Sequence, residues 1–146
     1  YFGKVIGEWD LDWNDRLNTS TPRRVKGEWI FSWVLDGMAV QDVFIVPSRA
    51  ERLTDIQPDA AYGTTIRLFN IERQVWEIFY GCPEECARLE ARKEGDEIIL
   101  TEITSKAMKW IFSDITDNSF TWRSIAKSPA GDWITLARVY ATRKKK

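Results

Sequence analysis

The stretch Arg23-Arg24-Val25-Lys26-Gly27-Glu28-Trp29-Ile30-Phe31-Ser32-Trp33-Val34-Leu35-Asp36-Gly37-Met38-Ala39-Val40-Gln41-Asp42-Val43-Phe44-Ile45-Val46 decides the fold. Its first half alternates Val25, Gly27, Trp29, Phe31 and Trp33 against Lys26, Glu28, Ile30 and Ser32. Successive side chains of a strand point to opposite faces, so a period of two in β-branched and aromatic residues marks a strand. Asp36-Gly37 then supplies the dipeptide that two-residue hairpin turns favour, and Met38–Val46 resumes the alternation. The segment reads as two antiparallel strands joined by a tight turn.

The same period extends in both directions. Upstream, Trp9, Leu11 and Trp13 alternate with Glu8, Asp10 and Asp12, giving a first strand with one wet face. Downstream, strands are expected at Gly63–Asn70, Val75–Tyr80, Ala87–Lys93, Glu97–Ile103, Lys109–Asp114, Ser119–Ala126 and Trp133–Thr142. Gly, Pro, Asn and Asp between them provide turn chemistry. Pro47 to Ala61 has no regular period and reads as a long loop, with or without one helical turn around Ala50–Leu53. No amphipathic helix of three turns interrupts this series of about ten short strands. Residues 1–146 are therefore expected to form one all-β domain, a closed antiparallel up-and-down barrel of about eight to ten strands. Closure is preferred over a sandwich because it removes edges that would otherwise be sticky.

Composition narrows the function. With 21 basic and 22 acidic residues the net charge is −1, too little field to recruit nucleic acid. No apolar run approaches the ~20 residues of a membrane-spanning helix, and no leader pattern is present, so a cytoplasmic protein is expected. The one basic cluster, Arg143-Lys144-Lys145-Lys146, reads as a solvated tail. The chain contains no His, which removes Ser-His and Cys-His nucleophile pairs, His-ligated haem and His-based zinc sites. Its two cysteines, Cys82 and Cys86, cannot make a zinc site alone and are expected as free thiols. Neither cofactor nor metal is expected. Eight Trp, seven Phe and four Tyr make an aromatic interior that is either unusually large or partly a pocket.

Gly7-Glu8-Trp9 on the first strand resembles the G-x-W signature of lipocalin-like, or calycin, barrels. In those barrels the Trp plugs the closed end, and a basic residue of the last strand packs across its ring. The resemblance implies that role for Arg138, in the final strand beside Leu136 and Tyr140, as partner of Trp9. Gly27-Glu28-Trp29, Val34-Leu35-Asp36-Gly37, Val40-Gln41-Asp42-Val43-Phe44-Ile45-Val46-Pro47, Tyr62-Gly63-Thr64-Thr65-Ile66-Arg67, Trp110-Ile111-Phe112-Ser113-Asp114-Ile115 and Ser119-Phe120-Thr121-Trp122-Arg123 extend the likeness along the chain. They resemble bacterial lipocalin-like domains of unassigned function, and imply a fold without a substrate. Gly81-Cys82-Pro83-Glu84-Glu85-Cys86 departs from that pattern.

Candidate site residues are the polar groups caught inside apolar strands: Gln41, Asp42, Arg67, Glu77 and Arg123. Walls of Trp33, Trp110 and Trp122 would complete a lumen for a hydrophobic or aromatic molecule with an anionic or carbonyl end. Arg67 and Arg123 suit that end because a guanidinium makes planar, bidentate hydrogen bonds. Asp42 or Glu77 could hold such an arginine in place. The Trp set of Trp29, Trp33, Trp76, Trp110, Trp122 and Trp133 serves equally as core filler, and the Pro47–Ala61 loop as a lid or a plain crossover. Two functions fit: a binding barrel, or a cofactor-independent cyclase or isomerase whose buried carboxylate acts as acid or base. Binding asks least of these residues. A homodimer is compatible with this composition.

Overall fold

The Asp36-Gly37 signal forms the expected turn. Leu35 C=O accepts from Met38 N–H at 3.1 Å, and the two central residues have φ of 56° and 84°, the backbone of a primed turn. On either side lie β2 (Arg23–Val34) and β3 (Ala39–Val46), paired antiparallel from Glu28–Ile45 to Val34–Ala39. The computed structural model describes residues 2–49, 61–104 and 107–144, the side chain of Ala61 excepted. The remaining strands are β1 (Gly7–Asp15), β4 (Ala61–Asn70), β5 (Val75–Gly81), β6 (Cys86–Glu94), β7 (Glu97–Glu102), β8 (Met108–Ser113), β9 (Ser119–Lys127) and β10 (Trp133–Arg143). The helical turn expected around Ala50–Leu53, and most of the Pro47–Ala61 loop read as a lid or crossover, fall on residues 50–60, outside the described residues.

Each strand pairs with its sequence neighbour, and β1 pairs with β10, so the ten strands close an antiparallel up-and-down barrel. A sandwich is excluded. Among the described residues no helix is long and apolar enough to cross a membrane. Alternation sends Trp9, Leu11, Trp29, Phe31, Ile78, Leu89, Leu100, Phe112, Phe120, Val139 and Ala141 inward, where all are buried. Ten strands enclose more room than these side chains fill along the whole axis, so one end packs solid and the other does not.

The packed end is sealed by a 3₁₀ turn, Phe2–Val5, that the strand periodicity gave no reason to expect. Phe2 and Val5 are fully buried, and Trp9 Nε1 donates to Val5 C=O at 2.8 Å. The basic residue over the Trp9 ring is Arg143, not Arg138: its guanidinium carbon lies 4.2 Å from the ring centroid. The register explains the correction. Trp9 faces Arg143 across β1–β10, while Arg138 pairs with Arg123 and shares the outer face with exposed Tyr140. Arg143 also donates to Asp117 C=O and Ile6 C=O, each at 2.6 Å, and to Lys4 C=O at 3.2 Å. Gly7 makes room for it. A Cβ there would stand 2.3 Å from Arg143 Nη1, and φ of 129° suits only glycine. The signature is thus a steric device: glycine admits the guanidinium that covers the tryptophan.

The solvated-tail reading is corrected for Lys144 as well. Glu28 is buried on the outer wall, where it accepts from Arg49 Nε (2.8 Å) and Lys144 Nζ (2.7 Å). Those two cations hold its carboxyl down at about 2, against the opposing pull of burial.

Candidate functional site: an aromatic cavity over a buried arginine

At the other end an open cavity of about 300 Å³ remains. Its walls are Trp13, Phe44, Tyr80, Trp110 and Trp122. Trp13 stacks on Phe44 and on Trp122, with centroids 5.6 and 5.8 Å apart, and Tyr80 stacks on Phe44 at 6.3 Å. Trp110 meets Tyr80 edge-on at 5.1 Å. The rings come from β1, β3, β5, β8 and β9, each from an inward position. Tyr62, near the start of β4, and Cys82, Glu84 and Glu85, between β5 and β6, lie at the mouth, and Thr65, Arg67, Trp29, Ser124 and Ala137 complete the lining.

Arg67 is the floor. It is 1% exposed, with Phe2, Phe31 and Phe112 rings on its closed side at 4.8, 5.3 and 5.8 Å from the guanidinium carbon. Its Nη1 is bound to Asp42 Oδ2, and Asp42 is itself fully buried. An uncompensated ion at this depth would cost several kcal/mol, so the pair is a condition of burying either member. Burial pushes the Asp42 carboxyl up, while Arg67, then Trp29 and Thr65, pull it down. The pairing is incomplete. Asp42 Oδ1, Arg67 Nε and Trp29 Nε1 have no hydrogen-bond partner among the described residues, although Trp29 and Thr65 face the carboxylate. Leaving a buried donor unmet costs ~1–3 kcal/mol, a cost that the Trp29 N–H and the Asp42 carboxylate it faces reduce for each other.

Tyr80 hangs its hydroxyl beside Cys82, and burial drives the phenol far above its usual range. Both cysteines are free: Cys82 lines the cavity, whereas Cys86 is exposed. The described residues contain no cluster of carboxylates or thiols able to hold a metal ion.

Of the residues singled out from sequence, the barrel brings Arg67, Trp110 and Trp122 together at the cavity, with Asp42 paired to Arg67 outside its lining. Four expectations of an inward position are corrected. Gln41 faces outward and donates to Thr64 Oγ1 at 3.0 Å. Glu77 lies on the outer wall 3.7 Å from Arg73, because Trp76, Ile78 and Tyr80 take the inward positions of β5. Arg123 faces outward beside Arg138 and pairs with Glu97 at 3.2 Å. Trp33 has the inward parity of Trp29 and Phe31 but stands beyond the barrel's closed end, 51% exposed, over Gly3. Sequence reasoning left out Trp13, Phe44, Tyr80 and Thr65. Their signal was parity alone, since each is in phase with a core residue on its own strand.

No protein-family model matches the sequence, and no curated protein does. Solved structures do. Rv2717c from M. tuberculosis superposes with a TM-score of 0.66 at 12% identity, covering 99% of this chain and 95% of that one. The S-type phycobiliprotein lyase CPES from Guillardia theta gives 0.64 at 11% identity, covering 99% and 91%. At such identities the likeness carries the fold and nothing finer: with the closed ten-strand topology, a lipocalin-like antiparallel barrel.

Proposed function

We propose that the barrel binds a small hydrophobic or aromatic molecule, with a hydrogen-bond acceptor at its deep end resting on Arg67. The observation that carries this reading is an open cavity of about 300 Å³ walled by aromatic rings, with the Arg67 side chain in its lining. A carboxylate or carbonyl oxygen would suit the guanidinium in that lining, and the Trp and Tyr faces would cover a flat apolar body. A volume near 300 Å³ is at the small end for ligand sites, which suits a molecule of one or two rings. Two free thiols agree with residence in a reducing, cytoplasmic compartment.

A cyclase or isomerase would need an acid or base touching its substrate. Asp42 is the buried carboxylate nearby, but it pairs with Arg67 and does not line the cavity. The two carboxylates that do, Glu84 and Glu85, are exposed at the mouth. Binding is therefore the preferred reading. The test is tryptophan emission titrated with aromatic acids, fatty acids and their uncharged analogues. Saturable quenching is expected, with acids weakened more than amides in the double variant Asp42→Leu/Arg67→Met. A flat response across the panel would remove the reading.

A further inference from the structure

At one inward position of the cavity wall the chain supplies no side chain. Gly63, buried on β4, pairs with Phe44 and has the inward parity of Thr65 and Arg67, which line the cavity. Glycine weakens a strand, and inside one it marks a place that something approaches closely. The backbone of Gly63 lies outside the left-handed region, so conformation does not call for it. Space does. A Cβ there would stand 2.6 Å from Phe44 Cζ, closer still to its Cε1, and 2.9 Å from Tyr80 Cε2. The edges of two wall rings, parallel to within 9°, thus meet where that side chain would begin. Phe44 is hemmed in by Trp13 at 5.6 Å and Trp29 at 6.4 Å, and Tyr80 by Trp110 at 5.1 Å. The room left to either ring is the cavity itself.

Resting on the binding reading above, we infer that Gly63 sets the width of the cavity and with it the ligand class, a planar acid of two rings. By leaving its place empty it lets Phe44 and Tyr80 lie back against β4. A side chain as small as a methyl group would lift both rings into the lumen and refuse the larger body. Gly63 is a positioning residue: it selects through the two rings and need not touch the ligand.

The experiment compares 2-naphthoate with benzoate on the intact chain, by tryptophan emission and calorimetry, across the four combinations of Gly63→Ala and Phe44→Leu. In the unsubstituted protein 2-naphthoate is expected to bind tighter, as the larger apolar body. Gly63→Ala should weaken 2-naphthoate about tenfold, the scale of an overpacked site, and benzoate less than about twofold. In the Phe44→Leu background the same glycine substitution should cost 2-naphthoate less than about twofold, because the ring edge it would strike is gone. A Gly63→Ala chain that fails to fold and is rescued by Phe44→Leu, with 2-naphthoate binding restored, would support the same reading. One that Phe44→Leu does not rescue would make the glycine a requirement of the strand and overturn the inference. Equal losses for the two acids, no loss at all, or an unsubstituted protein that refuses 2-naphthoate while answering other acids would also overturn it. Each of these leaves the binding reading standing. Silence from both probes and from the broader acid panel would remove both.

Discussion

The two ends of this barrel are built from the same kinds of residue and differ in whether their polar atoms are matched. At the closed end Trp9 is fully buried, its N–H is accepted by Val5, and its ring is covered by a guanidinium that itself makes three backbone hydrogen bonds. At the base of the cavity Trp29 is almost as buried, and its N–H faces the Asp42 carboxylate without closing a hydrogen bond. Arg143 and Arg67 repeat the contrast: one is saturated by the chain, the other keeps its Nε unmet. Aromatic content therefore does not separate core from pocket. Access does: the rings of the closed end are sealed in by Phe2 and Val5, whereas those of the open end still line a cavity of about 300 Å³.

The largest effect expected is at the floor. Arg67→Met alone would strand the Asp42 carboxylate and should cost ~3–5 kcal/mol in urea denaturation. The double variant Asp42→Leu/Arg67→Met should recover most of that loss, since well-packed apolar pairs often replace buried ion pairs without penalty. Additive losses would show that the pair is not coupled as drawn. Next comes a direct contest between the ends. Trp9→Ala should cost ~3–5 kcal/mol as a cavity opened in packed core. Trp110→Ala, which widens a space already open, should cost less than half of that. Equal losses would erase the distinction between plug and pocket wall.

A smaller effect belongs to Glu28. Its carboxyl is held down at about 2 in the folded chain, against an ordinary value of 4.5. A depressed acid contributes stability that is present above its unfolded pKa and lost as pH falls through the folded one. Stability should thus decline between roughly pH 4.5 and 2 by on the order of 1 kcal/mol, a figure kept low because Arg49 is 61% exposed and screened. Glu28→Gln should flatten that part of the stability–pH curve; an unchanged slope would assign the acid response elsewhere. The smallest effect tests the signature. Gly7→Ala and Arg143→Ala should each cost ~1–2 kcal/mol, and together less than their sum, because the first displaces the group the second deletes. Strict additivity would separate the glycine from the arginine.

Much of this was legible in the chain, and the limits have a common cause. The hairpin at Asp36-Gly37 and the strands around it follow from period and turn chemistry. The sequence left Asp42 or Glu77 to hold Arg67 or Arg123, and the structure forms one of those pairs, Asp42 with Arg67. What a period of two leaves open is which face is inside. On β5, Phe79 is apolar and faces out while Tyr80 faces in, so Glu77 could be placed on either side until the register was known. On β10 the same ambiguity put Arg138 where Arg143 stands, and a register shift between Thr135 and Ala137 made counting along that strand less safe. Trp33 fails for another reason: parity does not say where a barrel ends.

The pairing of β1 with β10 has a consequence for how the molecule comes apart. Nine of the ten strand pairings join sequence neighbours, and this one alone spans the chain, from Trp9–Arg143 to Asn14–Arg138. Nearly all of the loop-closure entropy is thereby concentrated in a single seam. Arg143 and Lys144 fasten its closed-end side, through Ile6 C=O and Glu8 C=O. The barrel behaves mechanically as a strip of hairpins with one zip, and amide exchange should find its lowest-energy opening there, at the pairing formed last and released first.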